Sequence, residues 1–163
     1  MKIRAAIALT ACVCVACSTR GPDTPSKRDQ EAKKLINKTD TTSNATSTAF
    51  TFEGYKKDIA ERIAEVNSTK VYIERPQALL RAVIVIKYVI ASDGKLLRSE
   101  LVRTNHDKAA ESIALLSLNN TAPFPKPASH LLKNGKVEIS ETWLFNNDGR
   151  FQLRTIALPQ MTE

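Results

Sequence analysis

Apolar and polar positions alternate with readable periods only from about residue 50 onward. Tyr55, Ile59, Ile63 and Val66 recur at helical spacing, with Lys56, Lys57, Asp58, Glu61, Arg62 and Glu65 between them. One apolar stripe edged by charge predicts an amphipathic helix that turns its stripe into a core. Ala82 to Ile90 (AVIVIKYVI) follows. Its set Ala82, Ile84, Ile86, Tyr88 and Ile90 is apolar throughout, and the opposite set is broken only by Lys87. This β-branched run predicts a central strand, covered fully on one face and partly on the other. Asp93-Gly94 then marks a tight turn, because glycine supplies the positive φ such a turn needs. Leu96 to Arg103 is the return strand.

A second helix is predicted from Asp107 to Leu118, with Thr104 or Asn105 as N-cap and acidic Asp107 in the first turn. Ala109, Ala110, Ile113, Leu116 and Leu118 are assigned to the sheet-facing side. Pro123, Pro125 and Pro127 end the helix, since proline cannot continue one. Val137, Ile139, Glu141, Trp143 and Phe145 alternate as a third strand. Asn147-Asp148-Gly149-Arg150 repeats the Asp-Gly turn, and Phe151, Leu153 and Thr155 lie on a fourth strand over 150–156. The order α-β-β-α-β-β defines an α+β domain of two helices packed on a small antiparallel sheet.

The first 49 residues read differently. Met1-Lys2-Ile3-Arg4 is cationic, and Ala5 to Ala16 is uncharged and mostly apolar. A membrane span needs about 20 apolar residues, so this shorter stretch predicts a secretory signal peptide over 1–16. Cys14-Val15-Ala16-Cys17 resembles the lipobox of bacterial lipoproteins, which implies lipidation at Cys17. Leu9-Thr10-Ala11-Cys12 is a second match and keeps Cys12 as the alternative; cleavage without lipidation is a third reading. Ser18, rather than Asp, after Cys17 implies sorting to the outer membrane. Residues 18 to 49 hold no aromatic and few large aliphatics. Such a segment buries too little to offset its ordering entropy, so 17–49 is predicted to be a lipidated, flexible tether, with the domain at 50–163.

Composition narrows the chemistry. Lys and Arg number 24 against 17 Asp and Glu, a net charge of +7. The excess is dispersed, with no cationic run interleaved with aromatics, so no nucleic-acid partner is predicted. All three cysteines lie at positions 12, 14 and 17, which leaves the body without a disulfide or thiolate metal site. His106, Asp107 and Ser112 sit near one another in sequence, but spacing alone does not make a catalytic triad. His130 lies in a polar loop. Asp93 and Asp148 are turn formers. No metal, cofactor or catalytic residue is assigned.

The order and punctuation of the elements resemble the C-terminal domain shared by TonB and TolA. The residues carrying the resemblance are Tyr55-Lys56-Lys57-Asp58-Ile59, Ile90-Ala91-Ser92-Asp93-Gly94-Lys95, Asp107-Lys108-Ala109-Ala110, Ala122-Pro123-Phe124-Pro125-Lys126-Pro127, and Trp143 to Leu153. It covers roughly residues 54 to 157. It implies a periplasmic domain that contacts an envelope protein or peptide segment, or a second copy as a homodimer, with the membrane reached through the lipid anchor. The long Pro-rich spacer and uncleaved membrane helix of an energy transducer are missing; that role and a structural scaffold are the alternatives. A small sheet offers its edges to an extended peptide. The edge of strand 150–156, with Gln152 and Arg154 as partner-binding residues, is the expected site, the far edge at Leu96 to Arg103 is the second, and a helix face is the alternative to strand addition.

Overall fold

The computed structural model describes residues 45–162. The expected signal peptide (1–16), Cys17 and the tether as far as residue 44 lie outside the described residues. The domain is mixed α+β. Its elements are α1 (Phe52–Val66), β1 (Ala82–Ala91), β2 (Leu96–Arg103), α2 (Lys108–Thr121), β3 (Lys136–Phe145) and β4 (Phe151–Leu153), with single 3-10 turns at Ser68–Lys70 and Ser129–Leu131. The four strands form one antiparallel sheet in the order β2-β1-β3-β4.

Both helices cover one face of this sheet. The even residues of β1 from Ala82 to Ile90 lie opposite Phe145, Trp143, Glu141, Ile139 and Val137 of β3. All of these but Glu141 join Tyr55, Ile59 and Ile63 of α1 and Ala110, Ala114 and Leu118 of α2 in a single buried core. Each fully buried large side chain there contributes roughly 1.5–3 kcal/mol. The helical stripe predicted for α1 is correct except at its end, where Val66 is exposed and Ala60 is buried instead.

On α2 the expected face is partly wrong. Leu116 and Ala109 are exposed, whereas Glu111, Ser117 and Thr121 are buried. The N-cap is Asp107, whose side chain accepts from the Ala110 N–H at 3.0 Å, rather than Thr104 or Asn105. The buried face runs through Ala110, Ala114, Ser117, Leu118 and Thr121, so it follows spacing that includes two hydroxyl residues and not the most apolar positions. Thr104 instead accepts from the His106 N–H and donates to Glu111, anchoring the turn ahead of the helix.

The two Asp-Gly turns share one construction. Ala91 N–H donates to Lys95 C=O and Asn146 N–H to Arg150 C=O, each at 2.9 Å. Gly94 and Gly149 both have positive φ, at 88° and 81°. Asp93 and Asp148 each accept from the amide two residues on and pair with that residue's cationic side chain. These charge-assisted contacts hold both carboxyls below the ordinary aspartate range, through Lys95 and Arg150 respectively.

The domain begins before the expected boundary at residue 50. Ser47 N–H donates to Lys126 C=O and Lys126 N–H to Ala45 C=O, at 2.9 and 3.0 Å, and the buried Ser47 bonds Asp58 on α1. β4 is shorter than predicted, three residues rather than seven. After Leu153 the chain turns back, with the Ile156 and Ala157 amides both on Leu153 C=O, so Thr155 is no strand residue.

This early departure explains a polar residue in the core. Thr142 C=O still accepts from Arg154 N–H at 2.9 Å, but the ladder between β3 and β4 ends at Trp143 and Leu153. The Thr142 amide is taken by Glu141 Oε1 at 2.7 Å. Glu141 is 1% exposed, and its Oε2 and the nearby Tyr88 hydroxyl have no hydrogen-bond partner among the described residues. Burial first, and then the Glu141 and Tyr55 groups, push the Tyr88 hydroxyl well above its usual range.

Candidate functional site

The sheet has two edges, and the structure treats them in opposite ways. The β4 edge, expected to be open, is sealed by the chain itself. Tyr72 N–H donates to Phe151 C=O at 3.2 Å, and Val71 bridges Phe151 as a single parallel contact. Gln152 is buried, and its Nε2 donates to the carbonyls of Tyr72 and Glu74 at 2.6 and 2.7 Å. Tyr72 is itself buried, which drives its hydroxyl up to about 12 with help from Asp148, and it donates to Leu144 C=O at 3.1 Å. The C-terminal segment lies against the same loop. Arg75 Nε donates to Pro159 C=O, Met161 N–H to Pro76 C=O, and Gln160 Nε2 to Gln77 and Ala78 C=O.

Gln152 and Arg154 therefore do not form an outward-facing pair. Arg154 is exposed, but its amide donates inward to Thr142. Hydrogen-bonded pairs alternate along an antiparallel ladder. Asn146 with Arg150 and Thr142 with Arg154 flank the pair Leu144 with Gln152, so the Gln152 main chain also faces β3. Gln152 was legible as a lone polar residue between Phe151 and Leu153. Its use as a strap on residues 72–74 requires a loop about eighty positions away in sequence, and no local pattern carries that.

The edge at β2 is different. Ala91 and Lys95 form a hydrogen-bonded pair at the turn. Stepping along β1, which has no extra residue, Val89, Lys87 and Val85 then bond to β2, and their partners are Arg98, Glu100 and Arg103. Independently, Val85 lies opposite Thr142, whose main chain is engaged with β4, which gives the same parity. The main-chain groups of Ser99 and Leu101 consequently point away from the sheet, with their side chains on the helix face opposite Tyr88 and Ile86.

Two register shifts interrupt β2, between its pairings with Val89 and Ile90 and between those with Val85 and Ile86. The extra residues are Leu97 and Val102, whose side chains are 56% and 57% exposed. Bulges and charges are common protections of an edge strand, since they stop open-ended pairing. Here they confine the regular stretch to residues 98–101. The doublets Leu96-Leu97 and Leu101-Val102 break the alternation of β2 in the sequence, and that was the available signal for the bulges.

Electrostatics on the uncovered face surround this stretch. Glu138 pairs with Lys87 at 2.9 Å and Arg98 at 3.4 Å, and Lys87 chiefly holds its carboxyl below the usual glutamate range. Glu100 and Arg103 have no ion-pair partner among the described residues. A cleft of about 270 Å³ lies where β1 starts and β2 ends, but its Arg81 is engaged by Asp107 at 2.7 Å. His106 is exposed and Ser112 lies on the exposed side of α2, while Asp107 serves as cap and ion-pair partner. His130 is occupied by Phe50 C=O at 2.8 Å. Among the described residues no cluster of three metal-ligating side chains occurs. No family model, curated protein or solved structure matches the chain.

Proposed function

We propose that this is a non-catalytic cell-envelope protein, a TonB/TolA C-terminal-like domain that binds protein partners through the free edge of β2. The observation that supports this reading is the asymmetry of the sheet: β4 is closed by residues 71–74, whereas Ser99 and Leu101 turn their main-chain groups outward. An extended segment added there gains backbone hydrogen bonds without disturbing the core. Proline substitution separates binding from folding. Ser99→Pro removes an outward donor, so the domain should fold and its in-cell cross-linking to partners should fall about fivefold, the equivalent of one hydrogen bond. Glu100→Pro removes a donor to β1 and should destabilise the domain instead. Unchanged cross-linking in a folded Ser99→Pro protein removes the β2 edge from consideration.

The anchor belongs to the same proposal. Lipidation at Cys17 places the protein on the periplasmic side of a membrane, by its resemblance the outer one. The chain between Cys17 and Ala45 spans at most about 95 Å, which limits partners to that zone. Intact mass of the protein extracted from membranes is expected to show a lipid-bearing N-terminus at Cys17, and Cys17→Ser should release the protein. Anchoring that survives this change moves the site to Cys12, and an unmodified chain beginning at Met1 removes the lipoprotein reading.

A further inference from the structure

We infer that the β2 edge pairs with the β2 edge of a second copy, antiparallel and centred on Ser99. The inference rests on the reading of β2 as the binding edge and names its partner. Two antiparallel strands related by a two-fold axis must have that axis perpendicular to the sheet. Both copies then keep the same face up, and the axis falls on one residue that pairs with itself. The regular stretch 98–101 offers four centres. Centring on Arg98 or Glu100 sets like charges against each other. Centring on Leu101 sets Glu100 against Val102 and Arg98 against Thr104. Centring on Ser99 sets Arg98 against Glu100 and Glu100 against Arg98, two opposite-charge pairs on the uncovered face.

Three further features agree with that register. Ser99 already has its main-chain groups outward, so the central pair is hydrogen-bonded in both directions, and Arg98 and Glu100 fall in the close, non-hydrogen-bonded positions where cross-strand side chains interact best. Glu100 has no ion-pair partner within its own chain among the described residues, and Arg98 has only the long 3.4 Å contact to Glu138. Finally, the exposed Leu97 and Val102 meet the second copy's Leu101 and Leu96. The register also brings Lys95 opposite the second copy's Arg103, but Lys95 is neutralised by Asp93 at 2.8 Å. The bulges keep the contact short, so a closed pair forms and not an extending sheet.

Charge reversal with rescue tests this on the full chain in mild detergent at low ionic strength, by sedimentation velocity, with folding followed by the fluorescence of Trp143. The wild-type chain is expected to dimerise reversibly. Arg98→Glu and Glu100→Arg each turn two attractive pairs into repulsive ones and should weaken the dimer at least about tenfold. The double variant R98E/E100R restores opposite charges only if like edges meet, and should return the dimer to near wild-type strength. A wild-type chain that stays monomeric up to about 1 mM overturns the inference. So does a dimer indifferent to both single changes, or one that the double variant does not rescue. A monomeric chain that still cross-links another envelope protein at Ser99 overturns this inference alone and leaves the β2 binding edge in place.

Discussion

Trp143→Ala is expected to lower the unfolding free energy by about 3–5 kcal/mol, a large share of the 5–15 kcal/mol typical of a domain. Trp143 is fully buried, opposite Ile84 on β1 and Leu153 on β4, so its removal opens a cavity bounded by two strands and the helical layer. Its indole N–H also donates to Ser117 Oγ at 2.9 Å, and that hydroxyl donates to Ala114 C=O at 2.8 Å. The side chain thus fixes α2 to the sheet by contact and by one directed bond. Trp143→Phe keeps most of the volume and loses the bond, and should cost about 1–2 kcal/mol. Urea unfolding followed by circular dichroism measures both. A midpoint for the alanine variant equal to that of the parent would show that Trp143 does not join these layers.

Gly94→Ala is the second large effect, and Gly149→Ala is its internal control. The two glycines occupy the same place in matching turns, with φ of 88° and 81°. A side chain in that left-handed region costs roughly 1–2 kcal/mol at either site. Their surroundings differ. A Cβ on Gly149 finds nothing closer than Arg81 Nη1 at 3.6 Å, while a Cβ on Gly94 would lie 2.1 Å from the Phe124 carbonyl oxygen. That oxygen is main chain and cannot swing away. The turn and the loop would have to separate, breaking the 2.8 Å bond from Phe124 N–H to Gly94 C=O and loosening buried Phe124 from Tyr88. The expected loss is on the order of 4 kcal/mol for Gly94→Ala against about 1 kcal/mol for Gly149→Ala. Equal losses would show that the first turn does not bear on the 122–127 loop.

Elements with strong local signals were legible from the residues. The apolar alternation of β1, that of 137–145 interrupted only by Glu141, and the repeated Asp-Gly punctuation placed β1, β2, β3 and both turns to within a residue or two. The stripe of Tyr55, Ile59 and Ile63 placed α1. Errors fell where two local choices were close in energy. Thr104, Asn105 and Asp107 can each cap a helix, and the bonds that Asp107 accepts from Arg81 and the Ala110 N–H decide among them. The candidate site was the least legible part. Gln152 and Arg154 looked like an exposed edge because 150–156 reads as one continuous strand. The early turn after Leu153 and the Tyr72 segment close that edge instead.

By itself the sequence determined the class of the domain, the number and order of its strands and helices, and which side of β1 and of β3 is apolar. Those properties depend on side-chain period and on turn chemistry, and both are local. Tertiary structure alone decided which edge of the sheet is covered, where the ladder is interrupted, and which main-chain groups of β2 face outward. Each of these depends on segments about ten to eighty residues apart meeting in one register. Side-chain alternation carries no record of how a neighbouring strand shifts by one residue, and it was this shift at Leu97 and Val102 that left Ser99 at the centre of the free edge.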